Sequence, residues 1–332
     1  MDRPQDPLPV ARAASLADTH NECRWLLDRL WARAAVGVIG GAPKSCKSWL
    51  GLDMAVSVAS GTPCLGAFAA HDQGSALIYL AEDALGVVRE RLRAICRHRH
   101  VDFATLAVDV ITAPSLRLDL ERDQLRLCDT VAQLKPRLLL LDPFVRLHRI
   151  DENNAGEVAA LLAYLRELQR QHDLAVAVVH HARKNGPTGA QAGVGLRGSS
   201  DFHAWGDSNL YLRRSRDQLT LTLEHRAAPA PEPVGVMLVA DNIAETTHLE
   251  VSAGIAMGSA SARVQTDDSA LDGEILEALK TKAEPVARSA LRAELRVRNE
   301  RLGDALTRLV AAGAITRIAD RWALPSAVPA PS

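Results

Sequence analysis

Aromatic residues are scarce in this chain: phenylalanine, tyrosine and tryptophan make up 4% of its 332 residues, whereas hydrophobic residues make up 47%. We therefore expect a core built mainly from aliphatic side chains, and the hydrophobic share is large enough to form one. Net charge is nearly absent as well, because 39 lysines and arginines face 40 aspartates and glutamates. This balance excludes a uniformly basic nucleic-acid binder but leaves room for a local basic patch.

Cysteine is sparse and irregularly spaced. The five cysteines stand at positions 23, 46, 64, 96 and 128, and no two of them form a C-x-x-C pair. An odd number without such pairs argues against a disulfide framework and against a structural zinc site. We therefore expect a reduced, cytoplasmic protein.

Long apolar runs are missing too. No stretch approaches the roughly 18 residues of a membrane span. The first ten residues contain acid and proline instead of the basic and then apolar pattern of a signal peptide. We expect no membrane contact.

What the chain does have is a regular alternation of apolar runs and amphipathic stretches. Near-continuous apolar runs predict buried parallel strands, and the stretches between them predict helices that cover both faces of the sheet. This alternation predicts an α/β fold with a mostly parallel central sheet. The predicted strands cover residues 35–41, 75–83, 108–114, 137–142 and 174–181, and the predicted helices cover 49–60, 84–98, 121–134 and 155–171.

Segments outside this alternation carry further predictions. Residues 21–33 place apolar side chains near helical spacing and predict a short amphipathic helix. Four runs between residues 209 and 251 predict further strands, the last two of which suggest a closing antiparallel edge. The segment 196–207, which carries Arg197, is polar and rich in glycine and serine. It predicts a loop that faces a central channel or a neighbouring subunit.

The last third of the chain changes in composition. Residues 252–270 are small and polar, which is typical of a linker. Residues 271–325 predict three helices followed by two short strands, the pattern of a winged helix-turn-helix. The predicted organisation is an N-terminal segment with the short helix (1–34), the main α/β domain (35–251), the linker (252–270), the winged helix domain (271–325) and a tail (326–332).

The strongest functional signal follows the first predicted strand. Residues 41–48 match the phosphate-binding loop G-x-x-x-x-G-K-[ST] at all fixed positions except one, between a strand and a helix as the motif requires. Backbone N–H groups and the helix N-terminus there form a positive site for phosphates. Lys47 supplies charge to the phosphates, and the Ser48 hydroxyl supplies a ligand to Mg²⁺. The predicted nucleotide-binding residues are Gly41, Ala42, Pro43, Lys44, Ser45, Cys46, Lys47, Ser48 and Trp49.

Cys46 is the departure from this motif, because it stands where the motif has glycine. Its β-carbon is expected to crowd the loop, and its thiol lies beside a lysine and a helix start. Two alternatives stay open at this point: a chance glycine-rich turn, and a degenerate loop that binds nucleotide without hydrolysing it.

Carboxylates follow two of the predicted strands. Asp142 ends an apolar strand about a hundred residues after the loop, where it is expected to hold the Mg²⁺ shell. Glu82 and Asp83 follow the strand over 75–83. We assign Glu82 as the group that polarises the attacking water and Asp83 as a cap of the next helix. The alternative for Glu82 is a solvated position near that cap.

Two histidines and one arginine complete the candidate set. His180 and His181 end the fifth strand, and adjacent strand residues point to opposite faces, so they do not chelate one ion together. One of them suits a contact to the γ-phosphate, and the alternative is a hydrogen-bonded structural histidine. Arg226 follows a late strand and could reach a neighbouring subunit's nucleotide as an arginine finger. Its alternative is ordinary surface charge.

Taken together, these motifs resemble the RecA-like ATPases of the RepA type, which are hexameric replicative helicases of some plasmids, within the DnaB/KaiC-like branch. The resemblance covers roughly residues 30 to 250. It rests on GGAPKSCKSWL, IYLAEDALGVVRERL, LLLLDPFVRLHRIDENNAGEV, VVHHARK and LRGSSD, in that order. It implies a RecA-like P-loop NTPase core, ATP and Mg²⁺ as cofactors, and a ring of identical subunits that is expected to be a hexamer.

The resemblance also assigns roles to single residues. It implies that Lys47 and Ser48 bind ATP and Mg²⁺, with Asp142 as the aspartate of the fourth strand. It implies that Glu82 is the catalytic base. His180 or His181 matches the γ-phosphate sensor, and Arg226 is the nearest match to the finger. The C-terminal winged helix is absent from the minimal plasmid helicase, so the role of this chain could differ.

The predicted winged helix domain supplies the candidate DNA contacts. In 271–325, ten basic residues face eight acidic ones, a modest excess. Its basic cluster stands at the start of the third predicted helix, the end that enters the major groove in a helix-turn-helix. The alternative is a winged helix that contacts protein. The candidate DNA-binding residues are Arg296, Arg298, Asn299 and Arg301.

Two functions fit this sequence. The first is a DNA-dependent ATPase, either a RepA-like helicase or a translocase, that acts in replication of a mobile element. The second is a DNA-binding regulatory protein whose assembly ATP merely switches, without helicase activity. DNA-stimulated ATP turnover distinguishes them.

Overall fold

A computed structural model provides the fold, and the chain divides into two units, Met1–Gly254 and Ile255–Ser332. The residues that the structure describes are 10–15, 24–152, 154–181, 200–215, 218–229, 231–241 and 243–252 in the first unit, and 271–280, 282, 285–295, 302–303, 305–306, 309–310, 313–318 and 321–324 in the second.

The first unit contains eleven named strands and five α-helices among its described residues. Its strands are β1 (Trp25–Leu27), β2 (Trp31–Ala32), β3 (Val36–Gly41), β4 (Ala76–Leu80), β5 (Val108–Val110), β6 (Leu138–Asp142), β7 (Ala175–His181), β8 (Ser208–Ser215), β9 (Gln218–His225), β10 (Val234–Asp241) and β11 (Thr246–Val251). Its helices are α1 (Lys47–Ser60), α2 (Leu85–His98), α3 (Glu121–Leu134), α4 (Ala155–His172) and α5 (Ser200–Trp205).

Nine of these strands form one sheet in the order β11-β10-β9-β8-β3-β7-β6-β4-β5. The strands from β8 to β5 all pair in parallel, whereas β8 to β11 pair antiparallel. The predicted α/β fold with a mostly parallel central sheet is thus confirmed. Because the central strands are parallel, the residues that follow β3, β4, β6 and β7 meet at one edge.

Apolar cores cover both faces of this sheet. On one face, α1 and α2 pack through side chains such as Leu50 and Leu92. On the other, α3, α4 and α5 pack through side chains such as Leu127, Leu165 and Phe202. Burial on both faces explains why the central strands are nearly continuous apolar runs.

The expected helix over 21–33 is wrong over its described part. Residues 25–27 and 31–32 form strands β1 and β2, which pair antiparallel. The chain reverses between them, and Arg29 has φ 52°, a left-handed conformation that a helix does not contain. Backbone hydrogen bonds join this hairpin to residues 69–71: Asp28 N–H donates to the carbonyl oxygen of Ala69, and His71 N–H donates to that of Leu26. The apolar spacing predicted burial correctly but not the element, because a tight hairpin also brings such residues onto one face.

The expected loop over 196–207 is also wrong in part. Residues 200–205 form helix α5, and Phe202 is fully buried in the core. Phe202 and Trp205 anchor this short helix, because both pack against the core and Trp205 Nε1 donates a hydrogen bond to the carbonyl oxygen of Leu162 at 2.8 Å. Arg197 lies outside the described residues.

The second unit has its own small core. Its described helices are α6, over residues 271–280, and α7 (Arg288–Leu295), and further helical positions are 302–303, 305–306 and 309–310. Strands β12 (Val286–Ala287), β13 (Thr316–Ile318) and β14 (Arg321–Ala323) form an antiparallel sheet in the order β12-β14-β13. Leu271, Ile275, Leu291, Leu302 and Ile315 pack together in its core.

Candidate nucleotide site

The segment between β3 and α1 forms the floor of a cavity of about 480 Å³. This volume falls within the range of roughly 300–1,000 Å³ that small-molecule sites occupy. The cavity opens at the carboxyl edge of the parallel strands, where ligands of open α/β sheets bind. Its lining residues are Pro43, Lys44, Ser45, Cys46, Lys47, Ser48, Trp49, Leu80, Glu82, Asp83, Arg91, Asp142, His181 and Leu238.

The loop is tightly packed against β8. A β-carbon at Gly41 would lie 2.4 Å from the carbonyl oxygen of Leu212 and 2.7 Å from Ser45 Oγ, so only glycine fits there. The Ser45 side chain is buried, and its hydroxyl has no hydrogen-bond partner among the described residues. A buried, unpaired hydroxyl is costly unless a ligand satisfies it, which fits a phosphate in this loop.

Lys47 begins α1 and lies nearly buried in the loop. Its ammonium group donates a hydrogen bond to the carbonyl oxygen of Ala42 at 2.8 Å. Burial lowers the pKa of Lys47, while the charges of Asp142, Cys46 and Glu82 act in the opposite direction. The lysine is therefore short of compensating charge, and a phosphate beside it would favour its charged form.

Cys46 adopts the left-handed conformation that explains the glycine of the motif. Its φ is 64° and its ψ is 23°, a region that L-residues adopt at a cost and glycine adopts freely. The thiol makes no capping bond to α1. Instead, Arg214 Nη2 donates to Cys46 Sγ at 3.4 Å.

Asp142 ends β6 and faces the cavity with 6% of its surface exposed. It accepts a hydrogen bond from Ser48, and burial raises its pKa to about 6, with Asp83 and Glu82 adding to the effect. Its Oδ2 has no hydrogen-bond partner among the described residues. A buried, unsatisfied carboxylate oxygen beside a serine hydroxyl is the donor set that Mg²⁺ prefers.

A magnesium ion fits this site only together with a ligand. The described residues contain no group of three or more histidine, cysteine, aspartate or glutamate side chains placed to hold a metal. Mg²⁺ is usually bound through one or two carboxylates, substrate phosphates and water. Ser48 and Asp142 would therefore hold it, and the ion would neutralise charge on the phosphates.

Glu82 and Asp83 both reach the cavity, each with an arginine partner. Arg146 Nε donates to Glu82 Oε1 at 2.7 Å, and about half of the Glu82 side chain is exposed. Arg91 Nη1 donates to Asp83 Oδ2 at 2.7 Å, and Arg91 also lies over the Trp49 ring. The prediction that Asp83 caps α2 is wrong, because Ala84 occupies the cap position with no side-chain bond.

His180 and His181 are adjacent on β7, and their side chains lie on opposite faces of the sheet. His181 is half-buried and lines the cavity, and β7 aligns it with Gly41. His180 is 1% exposed on the other face, where its ring stacks on Phe202 with centroids 4.3 Å apart. Of the two, His181 is the one that a bound nucleotide could reach.

Arg226 lies away from the phosphate loop of its own chain. Strand β9 runs antiparallel to β8, so the end of β9 aligns with Ser208, where β8 begins. Arg226 there pairs with Asp207 at 3.3 Å and donates to the carbonyl oxygens of Ala204 and Trp205. An action on a nucleotide would have to occur in a neighbouring subunit.

The predicted DNA-binding residues cannot be placed. Arg296, Arg298, Asn299 and Arg301 all lie outside the described residues.

Sequence reasoning missed the arginines around this cavity. Arg91 and Arg146 stand eight and four residues after the carboxylates Asp83 and Asp142. Their positions in an arginine-rich helix and a short turn gave no separate signal. The Arg214 contact depends on the pairing of β8 with β3, which no local pattern reveals.

Comparison with known families assigns the chain to a protein family. A family model described as an AAA domain (AAA_25) matches residues 2–187, which is more than half of the chain. The chain belongs to the AAA-domain family. The match covers the phosphate loop, Glu82, Asp142 and His181. No curated protein matches this AAA-domain chain.

Two solved structures show partial similarity to this AAA-domain chain. A crystal structure of the RadB recombinase has 17% identity and a TM-score of 0.49, with 66% of this chain and 92% of that chain covered. A DnaB-like replicative helicase, described with its interactions with primase, has 13% identity and a TM-score of 0.49. That match covers 65% of this chain, which spans 57% of the helicase chain.

Within the described residues, no helix combines the length and the apolar character needed to cross a bilayer.

Proposed function

We propose that this AAA-domain chain is an oligomeric RecA-like ATPase of the RepA type, which hydrolyses ATP with Mg²⁺ and acts on DNA as a helicase or translocase. One observation carries the proposal. A single cavity joins the phosphate loop, which follows β3, to Glu82, Asp142 and His181, which lie at the carboxyl ends of the parallel strands β4, β6 and β7. The family match supports the nucleotide chemistry.

The proposed roles follow from the positions of the side chains. Lys47 binds the phosphates, and Ser48 with Asp142 holds Mg²⁺. Glu82 orients and deprotonates the attacking water, which requires its carboxylate to leave Arg146. His181 contacts the γ-phosphate.

Assembly supplies the remaining group in this proposal. Arg226 acts as a finger in trans, since it lies at the sheet edge opposite its own phosphate loop. A ring of subunits, most simply six, then places each Arg226 at a neighbour's nucleotide. The ion pair with Asp207 holds the arginine until the neighbour docks.

The second unit is proposed to be a winged helix that binds DNA. Its order of helices followed by the β13–β14 pair supports this assignment. Arg296, Arg298, Asn299 and Arg301 would contact phosphates or base edges at the start of the third helix. Action in replication of a mobile element, in the cytoplasm, is the biological setting we propose.

A second candidate is an ATP-switched DNA-binding regulator without helicase activity. Cys46 favours it, because a side chain at φ 64° in the loop, contacted by Arg214, is expected to slow turnover. Such a protein would bind ATP, assemble and bind DNA, yet hydrolyse slowly.

ATP turnover with and without single-stranded DNA, measured beside the mass of the assembly, tests the proposal. A helicase or translocase should turn over faster with DNA and form a ring, and a helicase should also separate a forked duplex. The Glu82→Gln protein is the matched control, because phosphate that it releases does not come from turnover at the proposed site. ATP-dependent assembly without DNA stimulation would favour the regulator. A monomer that does not bind ATP would contradict both.

A further inference from the structure

Cys46 stands where the phosphate-loop motif has glycine, and the proposed function does not explain why a cysteine is there. Its sulfur lies at the mouth of the phosphate loop, half-buried, and the guanidinium of Arg214 contacts it at 3.4 Å. Arg214 is remote in sequence, and strand β8 brings it there.

Strand pairing determines which arginine reaches the loop. Strand β8 aligns Leu212 with Gly41, so residues 213 and 214 extend past the point where the loop begins. Leu212 packs into the α1 side of the sheet, and Tyr211 packs into the opposite side. Because strand side chains alternate between faces, Arg214 lies on the α1 side with Leu212, and Arg213 lies on the other.

Arg214 reaches the site through its contact with the loop residue Cys46, and its charge partners differ from those of the arginines that pair with cavity residues. Arg91 is paired with Asp83, and Arg146 is paired with Glu82. Among the residues that the structure describes, Arg214 has no carboxylate partner, and its recorded acceptor is a sulfur. A thiol is a weak acceptor, whereas a guanidinium binds phosphate oxygens strongly and in a bidentate manner.

The same cavity also holds two buried groups that await a ligand. Ser45 Oγ and Asp142 Oδ2 have no hydrogen-bond partner among the described residues, and both side chains are more than nine-tenths buried. Both side chains line the cavity that Cys46 also lines, so a ligand that satisfies them would occupy the same cavity as the Cys46 thiol.

We propose that Arg214 is a further phosphate-binding residue of this site, and that the Cys46 thiol holds its guanidinium at the mouth of the loop. The inference rests on the proposed nucleotide binding and adds one residue to it. The guanidinium exchanges a sulfur contact for phosphate oxygens of the bound nucleotide. The substitution of glycine by cysteine in the motif thereby gains a role specific to this chain.

The test compares the affinity for MgATP of four full-length proteins by titration calorimetry. Arg214→Ala should weaken binding about 10-fold to 100-fold, the effect of losing one hydrogen-bonded charge pair. Arg213→Ala is the matched control on the opposite face and should bind like the parent. Lys47→Ala marks the loss of the phosphate site itself. Equal thermal unfolding of the two arginine variants would exclude misfolding.

A double-mutant cycle separates phosphate binding from support of the loop. In a Cys46→Gly background, Arg214→Ala should still weaken binding, but by a smaller factor than in the parent, because the arginine acts on the phosphate and the thiol only holds it in place. If the cost disappears there, Arg214 acts only through the thiol and the inference is wrong.

The outcomes separate the inference from the proposed function. If Arg214→Ala binds MgATP like Arg213→Ala while Lys47→Ala binds it at least about 10-fold more weakly than the parent, the inference fails and nucleotide binding stands. If the parent protein binds MgATP no better than Lys47→Ala, the proposed function fails, and the inference fails with it.

Discussion

Burial of Asp142 carries an electrostatic cost in the candidate site. Its carboxylate is almost fully buried near two other carboxylates, and its pKa is raised to about 6. The folded state therefore binds a proton more tightly than the unfolded chain does. Ionisation of Asp142 therefore lowers the free energy of unfolding, and a cation bound beside the carboxylate would offset that loss.

Replacing this carboxylate should stabilise the ligand-free protein at neutral and higher pH. Because the pKa of Asp142 is raised, the parent loses stability as pH rises from about 4 to about 6 and not beyond. Without Mg²⁺ or nucleotide, Asp142→Asn should be more stable than the parent by about 2 to 3 kcal/mol at pH 8. Urea unfolding at pH 4 and pH 8 measures this. A variant that is less stable at pH 8, or a difference independent of pH, would refute the assignment.

Glu82 is the residue that separates binding from hydrolysis. It is half-exposed and paired with Arg146, so it contributes little to the packing of the site. Glu82→Gln should keep ATP affinity within about threefold and lower kcat by about 10²-fold to 10⁴-fold, since a general base acts on the water alone. Phosphate release and nucleotide titration give the two readouts. Asp83→Asn controls for loss of a neighbouring negative charge, and parallel losses of affinity and kcat in Glu82→Gln would indicate a structural role.

Helices α1 and α2 are joined by a buried ion pair beneath the site. Asp53 on α1 is fully buried, and Arg99, directly after α2, donates to its Oδ1 at 2.5 Å. Arg99 also donates to Ser57 and Thr62 near the end of α1. This contact fixes the helix that begins at the phosphate loop against the helix that follows Glu82.

Removing one partner of this ion pair should therefore lower the free energy of unfolding substantially. Arg99→Ala leaves the Asp53 carboxylate buried without its charge partner, which should lower the free energy of unfolding by about 3 to 5 kcal/mol. Arg97→Ala is the control two residues away, where the arginine pairs with Glu245 at the surface. It should cost less than about 0.5 kcal/mol. Equal costs of the two substitutions, measured by denaturation, would show that the buried pair is unimportant.

The elements of the parallel sheet were predictable because they are buried on both faces. Continuous apolar runs such as residues 137–142 have few other solutions, and their order placed Asp142 and Lys47 at one edge. The hairpin of β1 and β2 was not predictable from spacing, because its turn at Arg29 depends on pairing with residues 69–71. The choice between His180 and His181 and the contact of Arg214 with Cys46 likewise depend on strand registers that no local sequence contains.

At the scale of the whole molecule, the two units have separate cores. The nine-stranded sheet and both of its apolar layers lie within the first unit, whereas the second unit packs around its own leucines and isoleucines. This division makes the second unit a separable element, joined through a segment of linker composition.

Deleting residues 260–332 should leave a folded nucleotide-binding unit with weakened affinity for duplex DNA. Loss of Arg296, Arg298 and Arg301 should also flatten the salt dependence, because each neutralised phosphate contributes roughly −0.9 to the slope of log affinity against log salt. Binding to a labelled duplex at several salt concentrations measures both. The triple alanine variant of these arginines is the matched control in the intact chain. If the deletion and the triple alanine variant both bind duplex DNA like the parent, the second unit is a protein-contact module.

The proposed function requires that the cavity at the carboxyl edge binds and hydrolyses MgATP, and both activities depend on Lys47. Lys47→Ala should bind MgATP about 10-fold to 100-fold more weakly than the parent, because a buried charge on the phosphates is lost, and it should release no phosphate. Lys135→Ala is the control, since Lys135 precedes β6 at the opposite edge of the sheet. If Lys47→Ala binds and hydrolyses ATP like Lys135→Ala, the loop is not the nucleotide site and the proposed function is wrong.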